Sequence, residues 1–337
     1  MAAAALTGPI EAAGAVSTLS EFALIERFFR RSSRSAVLGI GDDAALLAPT
    51  AGCEIAVSVD MLVAGRHFFP DVDPRALGHK ALAVNLSDMA AMGAQPRWAL
   101  LGAALPDVDS DWLAAFSAGL FALADEFGVE LVGGDTTRGP LNVCVTIIGE
   151  APSGRSLRRS GAVVGDRVWV SGPLGGAALA LQALQGRIGL TAEQREACER
   201  CLLWPQPRVA LGLRLRGIAT SCIDISDGLV GDLGHILEAS AVGAEIDLAA
   251  IPRLATLDRA AAADKPLVRD CILAGGDDYE LCFTAPADSD GALAALAVEL
   301  GLALAAIGTI TASGRLVARV DGVPMPALPH GFDHFRG

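Results

Sequence analysis

The chain has 337 residues, of which 52% are hydrophobic and 19% charged, and its formal net charge is −13. This length favours two domains over one, and the acidic balance argues against a protein that binds nucleic acid through a basic surface. Seven scattered cysteines, an odd number, argue against a disulfide framework. The sequence shows neither a signal peptide nor an apolar stretch long enough to span a membrane. We therefore expect a soluble, cytoplasmic protein.

The first part of the chain predicts an N-terminal domain of mixed α/β structure. Residues 1–19 are rich in Ala and Gly, and we expect them to form a disordered extension. Helical and strand-like patterns alternate through residues 20–150. The strict alternation of Glu54 to Met61 is typical of a strand, and the Asp-Pro pair at 73–74 is a favourable helix start. The Gly-Gly-Asp segment at 133–135 is expected in a loop that follows a short strand.

A second α/β region follows a loop-like segment at 151–165, so residues 151–337 are assigned to a C-terminal α/β domain. Ser221 to Ile225 is strand-like and leads directly into a Ser-Asp-Gly turn at 226–228. The Gly-Gly-Asp-Asp-Tyr segment at 275–279 similarly precedes a strand. The predicted fold class is therefore α/β (α+β), with two domains in which strands repeatedly end in Asp.

Acidic residues stand out mostly where strands give way to turns. They are Asp42, Asp43, Asp60, Asp88, Asp135, Asp224 and Asp227. Taken singly, most are better explained by the preference of Asp for turns than by a functional role. Taken together, carboxylates that converge from strand ends would repel one another unless divalent cations lay between them. Magnesium, which prefers oxygen ligands and bridges carboxylates to phosphates, is the natural candidate.

Asp88 is the acidic residue that turn preference does not explain. It lies in the middle of an apolar helical stretch, with Asn85 three positions earlier on the same face. A carboxylate and an amide on a mostly buried helix cost free energy unless they have partners. Asp88 therefore indicates a functional site. The sequence has no Walker A lysine motif, and the Gly-rich turn at 171–176 is better explained as a tight turn than as a phosphate cradle.

Six segments resemble signatures of the thiamine-monophosphate kinase family. They are Gly39–Ala44, Asp60–Phe68, Asn85–Gly93, Gly133–Gly139, Asp224–Leu229 and Gly331–Phe335. The resemblance implies an N-terminal domain whose sheet pairs with its copy across a homodimer to form a barrel, with a C-terminal α/β domain behind it. The implied reaction converts ATP and thiamine monophosphate into ADP and thiamine diphosphate. For its mechanism we expect direct in-line transfer, which requires positioning and charge neutralisation more than covalent help. No separate acid, base or nucleophile is expected.

The resemblance also assigns roles by position. It implies magnesium ligands at Asp43, Ser58, Asp60, Asp88, Asp135, Asp224 and Asp227. It implies ATP contacts from Gly134, Asp135, Arg159 and Ser226. It implies contacts with thiamine monophosphate from His67, Asp277 and Phe332. Two positions depart from the usual pattern, since Asp277 replaces a Glu and is one methylene shorter, and Val59 stands where Thr is usual.

The sequence leaves two alternatives open. The first is another ATP-using enzyme of the same superfamily, which includes aminoimidazole ribonucleotide synthetase and selenophosphate synthetase. The second is a non-catalytic sensor of magnesium–nucleotide, which would bind ATP without turnover.

Overall fold

The computed structural model describes residues 19–329, and its first part combines helices with a four-stranded sheet. The helices are α1 (Glu21–Phe28), α2 (Pro74–Ala91) and α3 (Ser110–Phe127). The strands are β1 (Cys53–Val63), β2 (Gln95–Leu105), β3 (Glu130–Arg138) and β4 (Asn142–Pro152). Their order across the sheet is β1-β4-β2-β3. The pairs β1/β4 and β4/β2 are antiparallel and β2/β3 is parallel, so this sheet is mixed.

The second part of the chain builds a seven-stranded sheet with helices packed against it. The helices are α4 (Gly176–Leu184), α5 (Ala192–Leu203), α6 (Val209–Leu215), α7 (Leu229–Ser240), α8 (Ala255–Ala260), α9 (Lys265–Ala274) and α10 (Asp290–Leu300). The strands are β5 (Arg167–Val170), β6 (Ser221–Asp224), β7 (Gly243–Asp247), β8 (Leu281–Ala285), β9 (Ala305–Thr311), β10 (Leu316–Val320) and β11 (Val323–Pro324). Short 3-10 turns cover Leu248–Ala250 and Ala287–Ser289. The order is β11-β10-β7-β9-β5-β8-β6.

Helix α2 begins where the sequence predicts and joins the two parts. The Asp73 carboxylate accepts a hydrogen bond from the Arg75 amide at 2.9 Å, which caps the helix. The helix then packs closely on α3, where a Cβ on Gly78 would lie 2.0 Å from the Phe116 carbonyl oxygen. Its opposite side contacts α5, α6, β6 and β8 of the second part. Buried on almost every side, α2 carries polar groups into the region between the two sheets.

The sheet of the first part has one buried face and one exposed apolar face. On β1, the alternation predicted from sequence is confirmed. Ile55, Val57, Val59 and Met61 share the exposed face, and each is between 44% and 62% exposed. Ser58 and Asp60 point to the other face, toward the helices. A row of large apolar side chains on an open sheet face is typical of an interaction surface.

The prediction that residues 133–135 form a loop is wrong, because β3 continues through them to Arg138. The strand passes very close to β2 at this point, where a Cβ on Gly134 would lie 1.9 Å from the Leu101 carbonyl oxygen. Gly134 also has φ +149°, and a register shift marks the pairing at Ala99/Leu100. Glycine here permits a strand irregularity rather than a loop.

The predicted α/β class with two sheets is confirmed, whereas the domain limits at 20–150 and 151–337 and the dimeric barrel stay predictions. None of the helices within residues 19–329 combines the length and the apolarity that crossing a membrane requires. The predicted disordered extension falls almost entirely outside the described residues.

Candidate active site

A cleft of about 710 Å³ lies between the two parts of the molecule. One wall comes from the end of β1, the segment that follows it and the first half of α2, and the other from α4, α5 and two loops of the second part. Several predicted site residues line it: Asp60, His67, Ser226, Asp227 and Asp277. Polar groups that lie more than 150 residues apart in sequence therefore face one space. Much of the remaining lining is apolar, as in sites that bind organic ligands.

Four carboxylates, from Asp60, Asp88, Asp224 and Asp227, meet beside this cleft and are called the carboxylate cluster below. Asp60 comes from β1, Asp88 from α2, and Asp224 from the end of β6, with Asp227 just beyond it. The Ser58 hydroxyl donates a hydrogen bond to Asp88 Oδ2 at 2.5 Å. Ser87 donates to Asp224 Oδ2 at 2.8 Å, which ties α2 directly to β6. The packing of α2 against β6 thus assembles the cluster from both parts.

The electrostatics of the cluster favour a bound cation. Burial, followed by the charges of Asp88 and Asp227, raises the pKa of Asp60 to about 7. Burial, followed by the charge of Asp88, raises the pKa of Asp224 to about 8. The pKa of Asp88 is raised by burial and partly restored by the Ser58 hydrogen bond and the nearby Arg159. Buried carboxylates that repel one another are stabilised when a divalent cation neutralises their charge.

The carboxylate cluster can provide some, but not all, of the oxygen ligands that a magnesium ion requires. Within residues 19–329, no group of three or more His, Cys, Asp or Glu side chains is arranged to enclose a metal ion by itself. Magnesium in phosphate-transferring sites is held by one or two carboxylates and keeps waters or phosphate oxygens as its other ligands. The cluster offers what such an ion requires from the protein.

Asp232 holds the turn that carries Ser226 and Asp227, and sequence reasoning missed it. Its Oδ2 accepts hydrogen bonds from the backbone amides of Ser226, Asp227 and Gly228, each at 3.1 Å. Burial raises the pKa of Asp232 to about 7. In the sequence, Asp232 looks like an ordinary acidic residue in the first turn of a helix. Its position four residues after the Ser-Asp-Gly turn was the available signal.

The loop at 275–280 runs beside the same turn and brings Asp277 to it. The Asp277 amide donates to the Ser226 carbonyl at 2.9 Å, and the Tyr279 amide donates to the Ile225 carbonyl at 2.8 Å. Across the cleft, the Lys80 ammonium lies 3.0 Å from Asp277 Oδ1. Sequence reasoning predicted Asp277 but not Lys80, because nothing in the sequence pairs residues so far apart.

His67 and the Gly-rich turn at 171–176 differ in what they offer a ligand. His67 lines the cleft, and its Nδ1 accepts a hydrogen bond from the Val63 amide at 3.0 Å, so the neutral ring carries its proton on Nε2. In the Gly-rich turn, the Gly175 amide donates to the Asp278 carboxylate at 3.0 Å. That amide is occupied by the protein, which supports the tight-turn interpretation.

Other predicted residues lie apart from the cluster. Asp43 is in an exposed turn, where its amide donates to the Asp42 carboxylate at 2.9 Å. Asp135 is exposed on β3, at the sheet edge opposite β1. Strand spacing places the two edges about 14 Å apart. The described contacts do not join Asp43, Asp135 or Gly134 to the carboxylate cluster, and Phe332 lies outside the described residues.

The register also places Asp135 on the other face of the sheet. Asp135 pairs with Gly102, Gly102 with Cys144, and Cys144 with Met61. Paired residues share a face, so Asp135 lies on the face of the exposed apolar row and not on the face of Asp60.

Family models and known proteins resemble this chain over most of its length. The models described as AIR synthase related protein, N-terminal domain and C-terminal domain, match residues 41–151 and 163–321. Thiamine-monophosphate kinase of Escherichia coli strain K12 is 48% identical over 321 residues, which cover 94% of this chain and 98% of that protein. The chain belongs to the thiamine-monophosphate kinase family. This confirms the resemblance drawn from its sequence motifs.

Solved structures of thiamine-monophosphate kinases share the fold. The crystal structure of the enzyme from Stenotrophomonas maltophilia K279a is 46% identical, with a TM-score of 0.82, over 91% of this chain and 98% of that one. A structure described as AaThiL complexed with AMPPCP and TMP is 29% identical, with a TM-score of 0.75, over 86% of this chain and 89% of that one.

Proposed function

We propose that this protein is a magnesium-dependent thiamine-monophosphate kinase that transfers the γ-phosphoryl group of ATP to thiamine monophosphate, with thiamine diphosphate and ADP as products. The observation that carries the proposal is the cleft between the two parts, which joins the carboxylate cluster to an apolar lining. The phosphates of a nucleotide and their magnesium need the carboxylate cluster, and an organic acceptor needs the apolar lining. The family relationship, and a relative solved with both AMPPCP and TMP, support the same reaction.

The residues of the carboxylate cluster would hold magnesium, and Ser58 would orient Asp88 through its hydrogen bond. When bound, magnesium supplies positive charge that reduces the repulsion between two phosphate groups. Asp43 and Asp135 are proposed as further ligands. The accepting oxygen belongs to a phosphate that is already ionised at neutral pH, so the protein does not need a general base. Positioning and charge neutralisation are the main requirements of in-line phosphoryl transfer.

The nucleotide would lie where the two parts meet. Arg159 is close enough to Asp88 for its charge to act on that carboxyl, and a guanidinium there can bind phosphate oxygens in bidentate fashion. Ser226 lines the cleft on a turn held by Asp232. Gly134, which is exposed on β3, is retained as a proposed contact with ATP.

The acceptor would occupy the apolar side of the cleft. His67 and Asp277 both line the space, together with Phe68, Leu77 and Leu202. His67 can donate a hydrogen bond from Nε2 to an anionic oxygen, because its Nδ1 is already an acceptor. Asp277 can accept from a nitrogen donor. Phe332 is retained as a proposed contact with the rings of the acceptor.

The protein is proposed to act in the cytoplasm as a homodimer formed through the exposed apolar face of its first sheet. The row at Ile55, Val57, Val59 and Met61 would lose its contact with water in such a dimer. A second copy would also bring another Asp135 to this surface, since Asp135 shares the same face.

The test is ADP release from ATP and magnesium with thiamine monophosphate, unphosphorylated thiamine or an aminoimidazole ribonucleotide precursor as acceptor. We expect turnover with thiamine monophosphate alone. Turnover only with the aminoimidazole compound would identify a different enzyme of the same fold. Tight ATP binding without turnover on any acceptor would favour the magnesium–nucleotide sensor and overturn the proposed function.

A further inference from the structure

We infer that Lys80 is a positioning residue of the acceptor site, which holds the Asp277 carboxylate in the cleft together with Tyr279. The inference rests on the proposed function, because it names a determinant of acceptor binding. The sequence contains only two lysines, at 80 and 265, although Lys and Arg together number 26. Lys265 is exposed at the start of α9, whereas Lys80 is 3% exposed on α2. A buried ammonium is costly unless it is paired.

The geometry shows what the ammonium does. Lys80 Nζ lies 3.0 Å from Asp277 Oδ1, and the Tyr279 hydroxyl donates a hydrogen bond to the same oxygen at 3.0 Å. Among the residues that the structure describes, Asp277 Oδ2 has no hydrogen-bond partner. One carboxylate oxygen is therefore fixed from two sides, while the other remains able to accept from a ligand. All three residues line the cleft.

The backbone of this loop is strained in a way that needs such support. Asp277 has φ +66° and Tyr279 has φ +50°, two left-handed non-glycine residues within three positions. A left-handed backbone conformation costs free energy in a non-glycine residue. Residues in such conformations are common at functional sites. The hydrogen bonds from Asp277 and Tyr279 to the 225–226 backbone, the ion pair and the hydroxyl contact together compensate for it.

Helix α2 carries both Lys80 of the proposed acceptor site and Asp88 of the carboxylate cluster. Lys80 and Asp88 are eight residues apart on α2, which corresponds to about 12 Å along the helix. The Asp277 amide donates a hydrogen bond to the carbonyl of Ser226, which is the neighbour of Asp227 in the carboxylate cluster. Lys80 also offsets negative charge in a cleft that Asp60, Asp227 and Asp277 all line. The acceptor chemistry that fits Asp277 Oδ2 is a nitrogen donor or a cationic ring.

The first experiment compares wild type, Lys80→Met, Asp277→Asn and the double variant, with Lys265→Met as the matched control. Thiamine monophosphate is varied at saturating ATP and magnesium, and then ATP is varied at saturating acceptor. We expect Lys80→Met to raise KM for thiamine monophosphate roughly tenfold or more, the loss typical of a charge-assisted contact. KM for ATP should stay close to wild type, and Lys265→Met should change neither. Because Lys80 acts through Asp277, the double variant should match Asp277→Asn.

Equal changes in KM for both substrates, or an effect of Lys80→Met that adds to that of Asp277→Asn, would overturn the inference. If Lys80→Met does not fold, Tyr279→Phe removes only the hydroxyl contact and should show the same pattern more weakly. A wild-type protein that ignores thiamine monophosphate would refute the proposed function and, with it, this role of Lys80. Normal turnover by wild type and an unchanged KM in Lys80→Met and Tyr279→Phe would refute the Lys80 role alone.

Discussion

The carboxylate cluster and the two outlying acidic residues, Asp43 and Asp135, were predicted for the same task but have different surroundings. The cluster is buried or half-buried, receives hydrogen bonds from Ser58 and Ser87, and draws its members from both parts of the chain. Asp43 and Asp135 are exposed, and the described contacts do not connect them to the cluster. The difference is consistent with the proposal that one chain supplies only part of the magnesium site, and that a ligand or a second chain supplies the rest.

The largest effect is expected from Asp88→Asn, which removes the central charge of the cluster while keeping its shape. We expect kcat to fall about 100-fold or more, as when a preorganised electrostatic contact is lost. The measurement is ADP release with thiamine monophosphate under saturating substrates. Asp111→Asn, an exposed aspartate on α3, is the control and should retain wild-type turnover. Near-normal kcat in Asp88→Asn would exclude the cluster from the mechanism.

Val57→Asp tests whether the exposed face of β1 joins two copies. Val57 is 62% exposed, so a charged residue there should be tolerated by the isolated chain but not by an apolar interface. We expect the sedimentation coefficient to change from that of a dimer to that of a monomer, with loss of turnover. Val298→Asp, at a position that is 85% exposed on α10, should stay dimeric. A variant at Val57 that still sediments as a dimer would place the interface elsewhere.

Mixed dimers test whether Asp135 serves the cluster of its partner. Asp88→Asn and Asp135→Asn chains, each weakly active alone, are unfolded together and refolded at equal concentration. If the site combines Asp88 of one chain with Asp135 of the other, random pairing restores about a quarter of wild-type activity, because one of two sites is intact in half of the dimers. We expect this recovery. No recovery, with mixed dimers demonstrated by differential tagging, would place both residues in the site of one chain.

The smallest expected effect is a change in the pH dependence of stability caused by His79. This residue lies on α2 outside the cluster, so it reports on the stability of the helix without changing the proposed site. Its Nε2 lies 2.8 Å from the Pro205 carbonyl oxygen, and burial lowers its pKa below the ordinary 6.5. As the pH falls through the ordinary pKa of histidine, His79 is therefore protonated in the unfolded chain before it is protonated in the folded one. This difference in proton binding lowers the free energy of unfolding. Urea unfolding at about pH 7.5 and about pH 5.5 should show this loss in wild type and less of it in His79→Gln. An equal loss in both proteins would assign it to other groups.

The sequence by itself determined the local features. Alternation on β1 separated Ser58 and Asp60 from the apolar row, the Asp-Pro pair set the start of α2, and an unexplained carboxylate in an apolar helix identified Asp88. These depend on neighbours within a few residues, whose periodicity and capping chemistry can be read along the chain.

Only the tertiary structure decided which of the predicted residues meet. Lys80 and Asp277 pair although 197 positions separate them, Asp232 holds a turn through three backbone amides, and Asp135 lies on the face opposite to Asp60. Such relations follow from how α2 packs against β6 and from the register of strands. Neither is encoded in spacing along the chain, because a contact between distant segments depends on the packing of everything that lies between them.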